Sequence, residues 1–207
     1  VYNASYFLGI DLGQRRDHTA IAIVERRDER MAFLTPQYAG VYVRHLERVP
    51  LGTPYPMVVE RVRRILANDE LAGRSSITVD ATGLGVPVVE MLRGARLGCE
   101  VCPVTITSGA REHAAGMGWN VPKKDLLAGV QVLLEKGELR IAKRLKEAGS
   151  LLRELMDVKF RQGDGGRVRM GADGSGEHDD LVIALALACW RAKRRAGGGG
   201  GGRLPGI

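Results

Sequence analysis

Phe7-Leu-Gly-Ile-Asp11-Leu-Gly13 decides the fold. The apolar run Tyr6 to Ile10 reads as a buried strand that ends on a carboxylate and leaves through a glycine able to turn sharply. After a polar turn, Gln14 to His18, a second apolar run follows from Thr19 to Val24. So short a connection predicts an antiparallel hairpin. The charged cluster Glu25 to Arg30 turns the chain again. Met31 to Leu46 then holds one or two further strands, with alternation in Val41-Tyr-Val-Arg44.

Beyond this the pattern changes to alternating helix and strand. Pro56 opens an amphipathic helix with Val59, Val62, Ile65 and Leu66 on one face. Ser76 to Val79 is a strand ending at Asp80, and Thr82-Gly-Leu-Gly85 leads into a helix carrying Val88, Val89, Met91 and Leu92. Glu100 to Ile106 is another strand, and Thr107 to Asn120 reads as a polar loop without periodicity. Pro122 starts a helix that keeps helical spacing through Leu126, Leu127, Val130, Leu133 and Leu134 to Gly137. A brief strand (Leu139 to Ala142) and a helix (Lys146 to Val158) come next. The glycine-rich segment Lys159 to Gly176 reads as a hairpin or flap. A last helix runs from near His178 to Arg195, where Arg191-Ala-Lys-Arg-Arg195 suits the helix dipole. Hairpins followed by alternating strands and helices predict an α/β fold: a mixed sheet, antiparallel then parallel, flanked by helices. Residues 1–195 form one domain, and 196–207 a flexible glycine-rich tail.

The 207 residues suffice for one domain with its own core, and 44% hydrophobic content excludes a disordered chain. No apolar stretch approaches the ~20 residues of a membrane span, so no membrane partner is expected. No signal peptide is visible, and the immediate first strand predicts a domain taken from a longer protein. Lys and Arg outnumber Asp and Glu by 31 to 24, which favours a polyanionic partner such as nucleic acid. Three cysteines argue against a disulfide framework and fit a reducing compartment. Cys99 and Cys102 have neither a second pair nor a helix start, so buried thiols are favoured over zinc or redox chemistry.

Three acidic segments stand at element ends: Asp11, Asp80, and Asp179-Asp180 within Glu177-His-Asp-Asp-Leu-Val182. Singly, each has a plain explanation as a turn or cap residue; Asp179 in particular stands where an N-cap is expected. Together they would repel one another unless a cation lay between them. Hard oxygen donors suit Mg²⁺ or Mn²⁺. Two such ions ~3.5–4 Å apart support hydrolysis of phosphate esters. Asp11, on a central strand, is best placed to bridge both ions, with Asp80 on one and Asp180 on the other. Asp179 or His178 would complete a ligand shell or position water. No histidine or cysteine cluster has zinc spacing.

With four segments in view — Gly9-Ile-Asp-Leu-Gly13, Val79-Asp-Ala-Thr-Gly-Leu-Gly85, Val121-Pro-Lys-Lys-Asp-Leu126 and Glu177-His-Asp-Asp-Leu-Val182 — the chain resembles the nuclease domain of viral large terminase subunits, over roughly residues 6 to 190. The resemblance implies an RNase H-like fold and two-metal cleavage of double-stranded DNA with little sequence preference during genome packaging. It implies metal-binding, catalytic roles for Asp11, Asp80 and Asp180, with Asp179 adjacent and the order of the last two open. It also implies an ATPase domain, a portal and a small terminase subunit as partners, and the host cytoplasm during phage assembly as the location. A G-x-x-x-x-G-K-[ST] phosphate loop is absent from this sequence, so neither ATP hydrolysis nor translocation is expected of it. Candidate phosphate contacts are Arg15 and Arg16 after the first acid, Lys123 and Lys124 at a helix start, and Arg161, Arg167 and Arg169 on the flap. Alternatives are a Holliday-junction resolvase or other RNase H-like nuclease, an actin-like ATPase fragment, and a DNA-binding domain without catalysis. Cleavage of linear duplex against junctions or hybrids, stabilisation by ATP, and DNA retention without cleavage in Mn²⁺ separate these.

Overall fold

The computed structural model describes residues 5–13, 17–27, 39–83, 85–158, 160–162, 168–170 and 179–197. Strands β1 (Ser5–Asp11), β2 (Ala20–Arg27) and β3 (Gly40–Arg48) form the expected antiparallel meander. Then come α1 (Tyr55–Leu66), β4 (Ser75–Asp80), α2 (Gly85–Gly94) and β5 (Glu100–Thr107). Next are β6 (His113–Ala115), β7 (Gly118–Pro122), α3 (Lys123–Glu135), β8 (Leu139–Ile141) and α4 (Ala148–Asp157). The chain closes with β9 (Phe160–Gln162), β10 (Val168–Met170) and α5 (Asp180–Gly197). The main sheet has the order β6-β7-β5-β4-β1-β2-β3-β8. β4 joins β1 in parallel, β5 joins β4 and β7 joins β5 in the same sense, so the mixed sheet predicted from the sequence is present.

Strand alternation divides the core in two. Leu8, Ile10, Ile21, Ile23, Ile77 and Val79 pack with Val58, Val59, Val62 and Leu66 of α1 and Val88, Val89 and Leu92 of α2. Phe7, Ala20, Ala22, Val24, Val43, Leu46 and Val104 face the other way, onto α3, α4 and α5. Burial of each large aliphatic side chain stabilises the fold by roughly 1.5–3 kcal/mol. Met91 of α2 is 40% exposed.

The segment read as a loop over Thr107 to Asn120 contains the β6–β7 hairpin at the sheet edge. It turns at Gly116, whose φ of 56° favours glycine. His113 and Ala114 are exposed, so β6 carries none of the apolar alternation that marks a strand. Arg161 and Arg169 face each other in the β9–β10 pairing, so the flap segment does hold a hairpin. The last helix extends to Gly197, two residues into the stretch read as tail; the remainder, 198–207, lies outside the described residues.

A β-bulge reshapes β3. Ile23 pairs with His45 but Val24 pairs with Val43, so Arg44 is an extra residue. An extra residue reverses the alternation beyond it. Val41 and Val43 face α5 before the bulge, and Leu46 faces it after. Arg48 follows Leu46 onto that same face. Cys99 packs with the α1–α2 side, and Cys102 is buried further along the strand; all three cysteines are free thiols.

Candidate active site

Asp11 and Asp80 leave the sheet at one edge, because β1 and β4 are adjacent and parallel and Ile10 lies opposite Val79. This is the carboxyl edge of the parallel strands, where open α/β sheets present their ligands. Phe7, Gly9 and Asp11 share the face covered by α5. A Cβ on Gly9 would stand 1.8 Å from the carbonyl oxygen of Ala184, a position no side chain can occupy. Glycine here, with Ala184 and Ala188 on the helix, lets α5 lie with its backbone against β1. The start of α5 thereby carries Asp179 and Asp180 to the sheet edge. Asp11, Asp17, Asp80, Asp179 and Asp180 line one cleft with Thr82 and Lys123.

The field in this cleft is one-sided. Burial pushes the Asp11 carboxyl well above the usual carboxylate range; Asp80, Asp180 and Asp179 add to the shift, and Lys123 opposes it. Burial also raises Asp80, against the pull of the Thr82 hydroxyl and amide and of Lys123. Asp80 Oδ1 accepts from Thr82 N at 2.8 Å and from Thr82 Oγ1 at 2.5 Å. Thr82 Oγ1 in turn accepts from Ile106 N at 2.9 Å, tying the acid to β5. Asp80 Oδ2 takes no part in these bonds.

The two acids of the last motif differ in setting. Ile183 N donates to Asp179 O at 2.9 Å, so Asp179 holds the N-cap position of α5 by its backbone. Its carboxylate does not do the capping: Oδ2 accepts from Lys123 Nζ at 2.5 Å. The Val182 amide is met by Glu154 Oε2 of α4 at 3.0 Å. Arg48 binds the other oxygen of Glu154. Burial raises Glu154 to about 7, against the Val182 amide and Arg48, while Asp180 and Asp179 raise it further. Asp180 itself is buried, 5% exposed.

Carboxylates gathered about Asp11, whose own carboxyl they push up, form a donor set chemically suited to a hard divalent cation. They share a cleft rather than a finished cage. Among the described residues no three His, Cys, Asp or Glu side chains are gathered closely enough to hold an ion. Asp179 Oδ2 is engaged by Lys123 and Asp80 Oδ1 by Thr82, and each of these two carboxylates has a second oxygen outside those bonds.

The structure thus brings together Asp11, Asp80, Asp179 and Asp180, and adds Lys123, read from sequence as a phosphate contact, to the same cleft. Lys124, beside it on α3, is exposed. Arg15, Arg16, Arg167 and His178 lie outside the described residues, and of Arg161 and Arg169 only the backbone is described. Sequence reasoning missed Asp17, Arg48 and Glu154. Glu154 carried one usable signal, a glutamate on the apolar face of an amphipathic helix next to Leu151.

No protein-family model and no curated protein sequence matches the chain. Solved structures do. The large terminase nuclease of the thermophilic phage G20c is similar over 89% of this chain and 81% of its own, with a TM-score of 0.58 and 22% identity. A mutant nuclease domain of the large terminase subunit of bacterial virus Sf6, with manganese and beta-thujaplicinol, is similar over 89% and 87%, at a TM-score of 0.62 and 14% identity. The Mn-soaked terminase nuclease domain of human cytomegalovirus is similar over 91% and 83%, at 0.55 and 16%. The chain therefore has the fold of viral terminase nuclease domains, and the likeness extends over 89–91% of it.

Proposed function

We propose that this chain is a divalent-metal-dependent endonuclease that cuts double-stranded DNA with little sequence preference, as the cutting module of a genome-packaging motor. One observation carries the reading. Four aspartates from β1, β4 and the start of α5 line a single cleft, and the central one, Asp11, is pushed far from its usual titration by burial and by the other three. The fold shared with terminase nuclease domains, two of them in structures with manganese, supports the same chemistry.

Bound Mg²⁺ or Mn²⁺, two ions in this reading, would lower the pKa of water and stabilise charge on the phosphate oxygens. Asp11, Asp80 and Asp180 would hold the ions. Thr82 fixes the orientation of Asp80 by its two bonds to Oδ1. Asp179 keeps Lys123 at the cleft, where its ammonium can meet a phosphate oxygen. The basic surplus of the chain, with Lys124, Arg15, Arg16, Arg161, Arg167 and Arg169 as candidate contacts, favours the DNA backbone. An ATPase domain, a portal and a small terminase subunit are the partners this reading implies, with the host cytoplasm as the place of action. No helix among the described residues is long and apolar enough to cross a membrane.

The test is incubation of supercoiled plasmid with Mg²⁺ or Mn²⁺, with chelator as control. Nicking or linearisation that the chelator stops is expected. Intact plasmid in both metals would overturn the proposal. Loss of cutting in Asp179→Asn but not in Asp180→Asn would reverse the assignment within the last motif.

A further inference from the structure

An aspartate at a helix N-cap ordinarily turns its carboxylate onto the amide two or three residues ahead. Asp179 does not. Its carboxylate meets Lys123, and the Val182 amide is satisfied by Glu154, a side chain from another helix. Glu154 is 6% exposed, and a carboxylate so buried is costly unless it is paired and hydrogen-bonded. Arg48 provides the pairing. Arg48 reaches Glu154 because the bulge at Arg44 turns the end of β3 toward α5, and its own backbone lies opposite Ala20, which lies opposite Asp11. The brace therefore links the strand region that bears one acid to the helix start that bears two others.

We propose that Glu154 is a positioning residue: it caps α5 in place of Asp179 and so leaves the Asp179 carboxylate to the acidic cleft, with Arg48 holding Glu154 on the helix end. This rests on reading the cleft as a metal site in which Asp179 completes the ligand shell beside Asp180. Without Glu154 the Val182 amide loses its acceptor, and the nearest replacement is the carboxylate of Asp179 itself. Rotation onto that amide would take Asp179 away from Lys123 and out of the cleft.

The experiment compares Mn²⁺ titrations of the wild type, Glu154→Ala, Glu154→Gln, Asp179→Ala and the Glu154→Ala/Asp179→Ala double variant, together with a crystal structure of Glu154→Ala. Residues that orient metal ligands typically carry about 10–100-fold in metal affinity. Glu154→Ala is expected to weaken Mn²⁺ binding by about tenfold. Glu154→Gln keeps an acceptor oxygen and is expected to stay within about threefold of wild type on the same scale. The double variant should bind no worse than Asp179→Ala, since both changes remove the same carboxylate from the cleft. In the crystal, Asp179 should accept from Val182 N.

Multiplying effects in the double variant, or Asp179 still on Lys123 in the Glu154→Ala crystal, would overturn the inference and leave Glu154 as an ordinary structural cap. If Glu154→Ala does not fold, Glu154→Gln decides: a tenfold loss there overturns the inference, and near-wild-type binding supports it. A wild type that binds no Mn²⁺ would sink the functional reading alone, because the crystal structure still decides which carboxylate caps the helix.

Discussion

Two buried glutamates, one at each end of the sheet, carry opposite electrostatics. Glu25 lies on β2 away from the cleft, 4% exposed. Burial pushes its carboxyl up, but Arg27 and Arg44 outweigh that and hold it below the usual range. Glu154 lies at the cleft end, 6% exposed, with one arginine and one amide, and stands at about 7 because burial and two nearby aspartates win. At the Glu25 end, Arg27, Arg44 and Arg140 also surround the Tyr42 ring, with guanidinium carbons 4.6, 5.2 and 5.2 Å from its centre. That end is closed and balanced by the protein's own cations. At the cleft end the aspartates outnumber the cations that line it, and Asp11 remains raised despite Lys123. One set of strands thus supports a self-sufficient end and an end whose charge calls for something from outside.

The sharpest way to break this contrast is at Asp11. Asp11→Asn is expected to lower plasmid cleavage by about 10²–10³-fold, the scale of losing a principal electrostatic element of a site. In chelator it should leave the melting temperature unchanged or higher, because a repelled charge is removed. A large fall in melting temperature would make Asp11 a structural residue and put the two ends on a par.

Next in size is the pH dependence without metal. Asp11, Asp80 and Glu154 are raised in the folded state, so between their ordinary pKa values and their raised ones the folded chain binds more protons than the unfolded chain. Stability from these groups is therefore full below their ordinary pKa values and declines as pH climbs toward the raised ones, for Glu154 from 4.5 to about 7. Glu25 has the opposite sign: its contribution is present above its ordinary pKa and is lost as pH falls through its lowered one. Urea unfolding in chelator should show a decline on the order of 2 kcal/mol across pH 5 to 7.5. Mn²⁺ should remove most of it, and Glu154→Gln should flatten it. A flat profile in chelator would mean that the cleft is already neutralised.

Thr82→Val tests one bond at the cleft end. It should reduce kcat/KM about tenfold, as is typical when a group that orients a ligand is lost, and Thr82→Ser should restore it. Restoration failing would show that the methyl group, not the hydroxyl, is what matters. The smallest effect is expected at the balanced end. Arg27→Gln leaves Arg44 on Glu25, and Arg27 is itself 32% exposed, so it should cost under about 1 kcal/mol and leave cleavage untouched.

What the sequence revealed follows the same division. Asp11 and Asp80 were legible because each ends an apolar strand, and strands announce themselves by short apolar runs. The meander and the parallel half followed from the same runs and from the lengths between them. The 179/180 pair was legible as a pair but not as two roles, since an N-cap is recognised by residue type and position alone. Here the capping bond comes from Glu154, 28 residues before the Val182 amide that it meets. Arg48 was hidden for a different reason: a bulge changes which face a residue occupies without changing its composition. The β6–β7 hairpin escaped because an exposed edge strand of three residues has no buried face to impose a period.

The contact at Gly9 has a consequence for how this site can vary. The separation between Asp11 and the acids of α5 is set where one backbone rests on another, with no side chain in between. Core residues on either side can be exchanged, within the limits of packing, without lengthening or shortening that gap. Chains of very different sequence can in this way keep the same frame. The frame is a property of main-chain shape, and a search keyed to side chains passes it by.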